Sequence, residues 1–540
     1  LYCKVLRITH RDNQFMDAGI TAVPSGESAE ERARTPRRIL LEGASLGIVA
    51  DVALRTAPGG LGWSLWVLAL ALAALNVARH DGLGTTREQR GWLAMAATCA
   101  LAFAWRDAEA LRVANVLGTL VALALFAMAA AGRPASSILV ARVRDVVSAG
   151  VFSLRDLLIG APLLIARDAD LLALPAVRGG ASWTALRALL LTAPLVLVFN
   201  FLLSRADPVF GSLLRLPALD LPTLLPHLFV AGAFAWGAAG WLRGAILGLA
   251  PRPTLPATLP IQLGAAEVTT ALGAVIALFA VFVALQLRWL FGGADVVLAT
   301  TGLTVAEYAR RGFFELVAVA ALVLPLILGT RAAIDAPSVV ERHRRLSLVL
   351  LALLAAIVAS ALLRMQLYVT YFGLTTDRLY ATAMMGWIAV VCAAMVFTVL
   401  RGEARALAAI AVLSGFAMLG ALNAGNPELI IARVNLARGQ DGPLVDFPYL
   451  ARLGGDAVPA VVQALRGAVP SAESCRAATE LRARWLRDDD VAWNLGAHRG
   501  RKAVAGLPTA AVARLCGGPA QPTRAEAGGG GELPRRRGMG

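Results

Sequence analysis

The side chains that could do chemistry here are few, and they cluster next to apolar runs. Glu307, Arg311 and Glu315 follow one another at four-residue intervals in TGLTVAEYARRGFFEL. On a helix they share one face with alternating sign. The run leads into a long apolar stretch, so Glu315 is expected at the hydrocarbon boundary with Arg311 as its partner, either as an ion-pair belt that fixes helix depth or as the lining of a polar path. Asp377 and Arg378 lie in RMQLYVTYFGLTTDRLY, where Gly373 breaks one segment and Thr375 or Thr376 can cap the next. A carboxylate in that first turn meets the positive end of the helix dipole. Structural capping and a ligand-facing polar loop are the two readings of that pair. Together these five residues form a candidate polar site at the membrane interface. Asn426, Arg433 and Asn435 in NAGNPELIIARVN form a second candidate, coupling the last apolar run to the tail. SRADPVF, with Arg205 and Asp207 before Pro208, reads as a tight turn.

Other chemistries lack their residues. His10, His80, His227, His343 and His498 fall at no metal-ligand spacing, and Cys3, Cys99, Cys392, Cys475 and Cys516 form no CxxC pair. Neither a zinc site nor a disulfide framework is suggested. The sequence has no GxxxxGK phosphate loop, no GxSxG elbow and no TVGYG filter. No catalytic residue, metal or cofactor is expected, and an enzyme is the less favoured reading.

The elements that must position these residues are apolar helices. Of 540 residues, 58% are hydrophobic and 16% charged, against about a quarter charged in soluble proteins. Runs of the roughly 20 residues needed to cross a bilayer recur at about 61-78, 91-106, 112-131, 183-203, 222-247, 267-288, 313-330, 346-363, 380-400 and 404-422. Two further segments are ambiguous. The run 38-55 carries Glu42 and Asp51, and 147-166 carries Arg155 and Asp156 near its middle, a costly position for charge at mid-bilayer. An interfacial or re-entrant helix suits the second as well as a span does. The fold class is therefore all-α, a polytopic bundle of about 10-12 spans with a small C-terminal helical module. The expected organisation is a polar leader over 1-36, membrane helices with an amphipathic or re-entrant segment over 37-182, the core bundle over 183-422, the helical module over 423-510, and a disordered tail over 511-540. Asp456 is expected to cap a module helix over VPAVVQAL.

A net charge of +15 is accounted for by arginines flanking apolar helices rather than by nucleic acid. Arginine in the loop 331-345 sets the topology against arginine in 288-312, and the balance favours a cytoplasmic tail. Membrane lipids and a membrane or cytoplasmic protein are the expected partners.

The segments SRADPVF (204-210), QLRWLFGG (286-293), AEYARRGFFELVAVAALVLPL (306-326), LYVTYFGLTTDRLYA (367-381), NPELIIARVNLAR (426-438) and WNLGAHR (493-499) resemble the bacterial multi-pass membrane proteins grouped as domain of unknown function 4173, close to the group numbered 4153. The resemblance covers about 200-500. It implies a many-helix inner-membrane protein with a short helical tail, and no activity or catalytic residues. A membrane scaffold or regulatory and sensory component is the favoured function. A permease for a small or anionic substrate, or an interfacial lipid-processing enzyme, is the alternative.

Overall fold

The computed structural model describes residues 29–56, 60–80, 84–130, 137–169, 221–248, 262–301, 313–401, 405–441, 445–486 and 493–517, with isolated positions besides. These residues fold as helices: α1 (Ala29–Thr56), α2 (Leu61–His80), α3 (Arg87–Trp105), α4 (Glu109–Ala130), α5 (Val143–Leu163), α6 (Leu221–Leu242), α7 (Ala265–Thr301), α8 (Phe313–Ala332), α9 (Pro337–Phe372), α10 (Thr376–Arg401) and α11 (Arg405–Gly425). Beyond them come α12 (Pro427–Asp441), α13 (Phe447–Ala451), α14 (Val458–Gly467), α15 (Ala472–Trp485), α16 (Leu495–Ala505) and α17 (Thr509–Cys516). The protein is an all-helical, polytopic membrane bundle followed by C-terminal helices.

Among the described residues, eight helices are long and apolar enough to span: α2, α4, α5 with its continuation to Asp168, α6, α7, α9, α10 and α11. This is fewer than the 10-12 expected from sequence. The expected run at 183-203 lies outside the described residues, apart from isolated positions. The helices α1 and α3 form over the expected 38-55 and 91-106 but are too polar to join the eight.

Small residues let the N-terminal helices approach closely, the usual device where lipid removes the hydrophobic drive for association. A Cβ on Gly43 of α1 would lie 2.7 Å from the Cβ of Ala239 on α6, and one on Gly47 would lie 2.3 Å from the carbonyl oxygen of Ala231. Buried Ser64 of α2 donates to the Ala100 carbonyl of α3 (2.6 Å), and Trp66 donates across to the Leu46 carbonyl of α1 (3.1 Å). The capping box at Thr86 and Gln89 starts α3. These helices share one apolar core with α4, α5 and α6. A second core joins α7 to α11 around Leu350, Leu351, Leu354 and Met395.

Consecutive helices in α1–α4 alternate in direction, which puts the first turns of α1 and α3 on one face of the bundle. Both ends of α5 are tied to that face. Just before α5, the Ile138 amide donates to Glu88 at the start of α3 (2.9 Å). Just after it, Arg37 of α1 donates to the Ala169 carbonyl (3.2 Å). One face of α5 exposes an apolar stripe of Val147, Val151, Leu154 and Leu158.

The C-terminal helices have their own core, formed by Ile431, Leu450, Val458, Val461, Leu465, Leu481 and Trp485 among others. Cys475 and Cys516 form a disulfide between α15 and α17. This corrects the sequence reading. The two cysteines lie 41 residues apart, and only packing of α15 on α17 brings them together.

Candidate functional site: a buried polar joint between bundle and C-terminal helices

Among the described residues, the densest set of buried charged side chains lies where α3 turns into α4. Arg106 and Asp107 occupy that turn, and both are buried, as are Asp456, Glu428 and Asn494 facing them. Burying a charge is costly unless it is paired and hydrogen-bonded. Arg106, Asp107 and Asp456 meet that condition through residues distant in sequence.

Asp456, just before α14, accepts from Arg106 Nη1 through Oδ1 (3.3 Å) and from the Asp107 backbone amide through Oδ2 (2.8 Å). Asp107 returns the contact. Its Oδ2 accepts the Gly455 backbone amide (2.8 Å), and its Oδ1 accepts from Asn494 (3.1 Å) and Arg112 (3.1 Å). Each carboxylate thus binds the backbone beside the other. Arg106 also donates to the last carbonyls of α11, Asn423 (2.7 Å) and Ala424 (3.2 Å). Inside the bundle, Asn115 of α4 and Asn423 of α11 exchange amide hydrogen bonds (3.1 and 3.0 Å).

Glycines make the approach close enough. A Cβ on Gly454 would sit 1.8 Å from the Asp107 carbonyl oxygen, and one on Gly455 would sit 2.7 Å from the backbone of Ala497. Glu428, at the start of α12, accepts the Gly454 amide (3.2 Å). Burial raises its carboxyl to about 7. The Gly454 amide and Arg484 oppose that rise, and the neighbouring Asp107 and Asp456 add to it.

The joint corrects the expected role of Asp456. The first residue capping α14 is Ala457, with no side-chain cap, and the Asp456 carboxylate is spent on α3 and α4 instead.

Of the interface residues proposed from sequence, Glu307 and Arg311 lie outside the described residues, and Glu315 is described only as part of the α8 backbone. Arg378 donates to the Phe372 carbonyl (3.1 Å) and to the Gly373 carbonyl, and its guanidinium lies 4.0 Å from the Tyr368 ring centroid. It thereby closes the C-terminal end of α9. Asp377 is exposed in the first turn of α10.

In the second set, Asn435 accepts the Leu374 amide (3.0 Å) and donates to the Leu374 carbonyl (2.6 Å). Arg438 one turn on donates to the Thr370 and Tyr371 carbonyls (2.8 and 3.0 Å). Asn426 turns the chain between α11 and α12 with a left-handed backbone (φ 56°), a conformation asparagine tolerates better than most residues. Its side chain accepts the Leu429 amide and reaches Asp456. Arg433 lines a groove beside α14.

Sequence reasoning missed Arg106, Asp107, Glu428 and Asn494. The one signal available was an Arg-Asp pair closing a short apolar run. Among the described residues, no three His, Cys, Asp or Glu side chains lie close enough together to hold a metal ion.

The spans, the polar joint and the C-terminal helices together define a multi-pass helical membrane protein. Residues 93–464 match the family described as Domain of unknown function (DUF4153), and the chain belongs to that family. The match begins within α3, well before the segments that carry the resemblance seen in the sequence, and it ends within α14. The narrower group numbered 4173 is not distinguished by it. No curated protein and no solved structure matches the chain.

Proposed function

We propose that the protein is a regulatory or sensory component of a bacterial inner membrane, in which the spans anchor and orient a C-terminal helical module. The resemblance to the 4173 group accords with this reading and names no activity. The observation that carries it is the reciprocal exchange between Asp107 and Asp456. It joins the turn between two membrane helices to the entrance of a module helix, so a shift of the module bears directly on α3, α4 and α11. Asn435 and Arg438 add a second contact, to the turn between α9 and α10.

We assign the module to the extracytoplasmic face, against the balance of loop charges in the sequence. Two observations support this. First, the helix ends opposite the module carry more arginines, Arg34, Arg37 and Arg38 on α1, Arg79 on α2, Arg87 and Arg90 on α3, Arg331 on α8, and Arg342, Arg344 and Arg345 on α9, than the module-side ends with Arg55, Arg106, Arg112 and Arg378. Such residues near span ends mark the cytoplasmic side, whereas a long translocated domain crosses largely regardless of its own charge. Second, the Cys475–Cys516 disulfide suits an oxidising compartment. On this orientation α5, with both ends tied to the arginine-rich face, is a re-entrant or in-plane helix of the cytoplasmic leaflet.

The test is in cells lacking the endogenous copy. A chain ending at residue 441, and full-length Asp456→Ala, are expected to reach the membrane and yet fail to restore the wild-type membrane protein and lipid profile. Full restoration by the chain ending at 441, at matched membrane level, would overturn the reading.

A further inference from the structure

A groove of about 640 Å³ opens between α12, α14 and α16. Its wall on α12 presents Leu429, Arg433 and Leu436, spaced i, i+4, i+7 along one helical face. Arg499 of α16 and Gln463 of α14 complete the polar lining, with Asn426 at one end. Both arginines are exposed, and among the described residues neither forms an ion pair or a side-chain hydrogen bond. The carboxylate in the lining, Asp456, is already committed to Arg106 and the Asp107 amide. The groove therefore carries an unneutralised excess of positive charge beside leucine.

Its position adds to its chemistry. The helix α12 begins two residues after α11 ends, and Asn435 and Arg438 tie it to the turn between α9 and α10. It thus links the end of α11 to the turn between α9 and α10, beside the ends of the spans. Guanidinium groups bind phosphate with paired, charge-assisted hydrogen bonds, and the volume falls within the range of small-molecule sites.

We propose that this groove binds the phosphate headgroup of an anionic phospholipid, with Arg433 and Arg499 on the phosphate, Gln463 and Asn426 on the headgroup hydroxyls, and Leu429 and Leu436 against the start of the acyl chains. The inference rests on the preceding reading only in taking the module as the recognising part. Its test uses the purified chain, so the two fail separately.

The full chain is reconstituted in nanodiscs of phosphatidylcholine, with and without a minor fraction of phosphatidylglycerol, and retained lipid is counted by native mass spectrometry. The wild type is expected to retain phosphatidylglycerol preferentially, and Arg433→Gln/Arg499→Gln to lower that preference about tenfold. Because both side chains are exposed, the thermal midpoint in phosphatidylcholine alone should match the wild type. Should the double variant not fold, each single substitution is read the same way. Equal retention by wild type and variant overturns the site. Displacement of the lipid by soluble glycerol phosphate overturns the lipid source and leaves a site for a free phosphate ester.

Discussion

Glu428 shows how a single residue can report on the joint. It lies outside the spans, buried against Gly454, and burial lifts its carboxyl from 4.5 to about 7. The folded protein therefore holds this proton more tightly than the unfolded chain does. The corresponding stability is whole below about pH 4.5 and is lost as pH rises through about 7. Glu428→Gln keeps an acceptor for the Gly454 amide and has no charge to bury. Its thermal midpoint is expected to stay flat between about pH 5 and 7 where the wild type declines, and to exceed the wild type near pH 8; parallel curves would show that Glu428 does not titrate in this interval. This residue was not legible in the sequence. In NPELIIARVN a glutamate early in a helix reads as a dipole-favoured first-turn carboxylate, and its burial depends on a loop that arrives later in the chain. Arg378 was legible as a residue of the α9–α10 turn, but its bonds to carbonyls 372 and 373 depend on the fold of that turn.

At the scale of elements, apolar length identified most of the helices, because a bilayer requires backbone groups to be satisfied within each segment. Boundaries for α2, α4, α10 and α11 fall close to the runs read from sequence, whereas α9 extends nine residues beyond its run, 346-363, at each end. For α5, Arg155 and Asp156 argued against a simple crossing; its length and composition allow a span, and its two ends are tied at Glu88 and Arg37. What pattern could not show is the close approach of the 454–456 segment to the α3–α4 turn, since a glycine pair in a polar stretch looks like any loop. Gly454→Ala would push a methyl group against the Asp107 carbonyl. It is expected to lower the thermal midpoint of the purified protein sharply, as overpacking by one methyl group costs about 1–3 kcal/mol. Gly467→Ala, with open space around its position, is expected to stay within about 1 kcal/mol of the wild type. Similar losses from both would remove the case for a close-packed joint at residue 454.

For the whole molecule, the proposed orientation rests on the arginine-rich face and the disulfide together, and neither was decisive in the sequence. Loop charges there pointed both ways, because Arg288, Arg310 and Arg311 of 288-312 oppose Arg331, Arg342, Arg344 and Arg345 of 331-345. The cysteine pair was invisible because only the packing of α15 on α17 joins it. The orientation can be read directly. Cys99 and Cys392 are buried, so in a Cys3→Ser background the module cysteines are the reactive pair after reduction. A membrane-impermeant maleimide is expected to label them in intact spheroplasts. Labelling only after lysis would place the module inside.

The joint also has a consequence for biogenesis. Arg106 and Asp107 are synthesised some 350 residues before the carboxylate that completes them. Throughout translation of the later spans, the α3–α4 turn must wait in the nascent protein with its carboxylate held by Arg112 and its guanidinium served by water or lipid headgroups. The two halves of the bundle can each collapse around their own apolar core meanwhile. Final closure comes only once the C-terminal segment has left the ribosome and docked. A chain cut short before Asp456 thus leaves the Arg106 guanidinium without its carboxylate and the Asp107 amide without its acceptor.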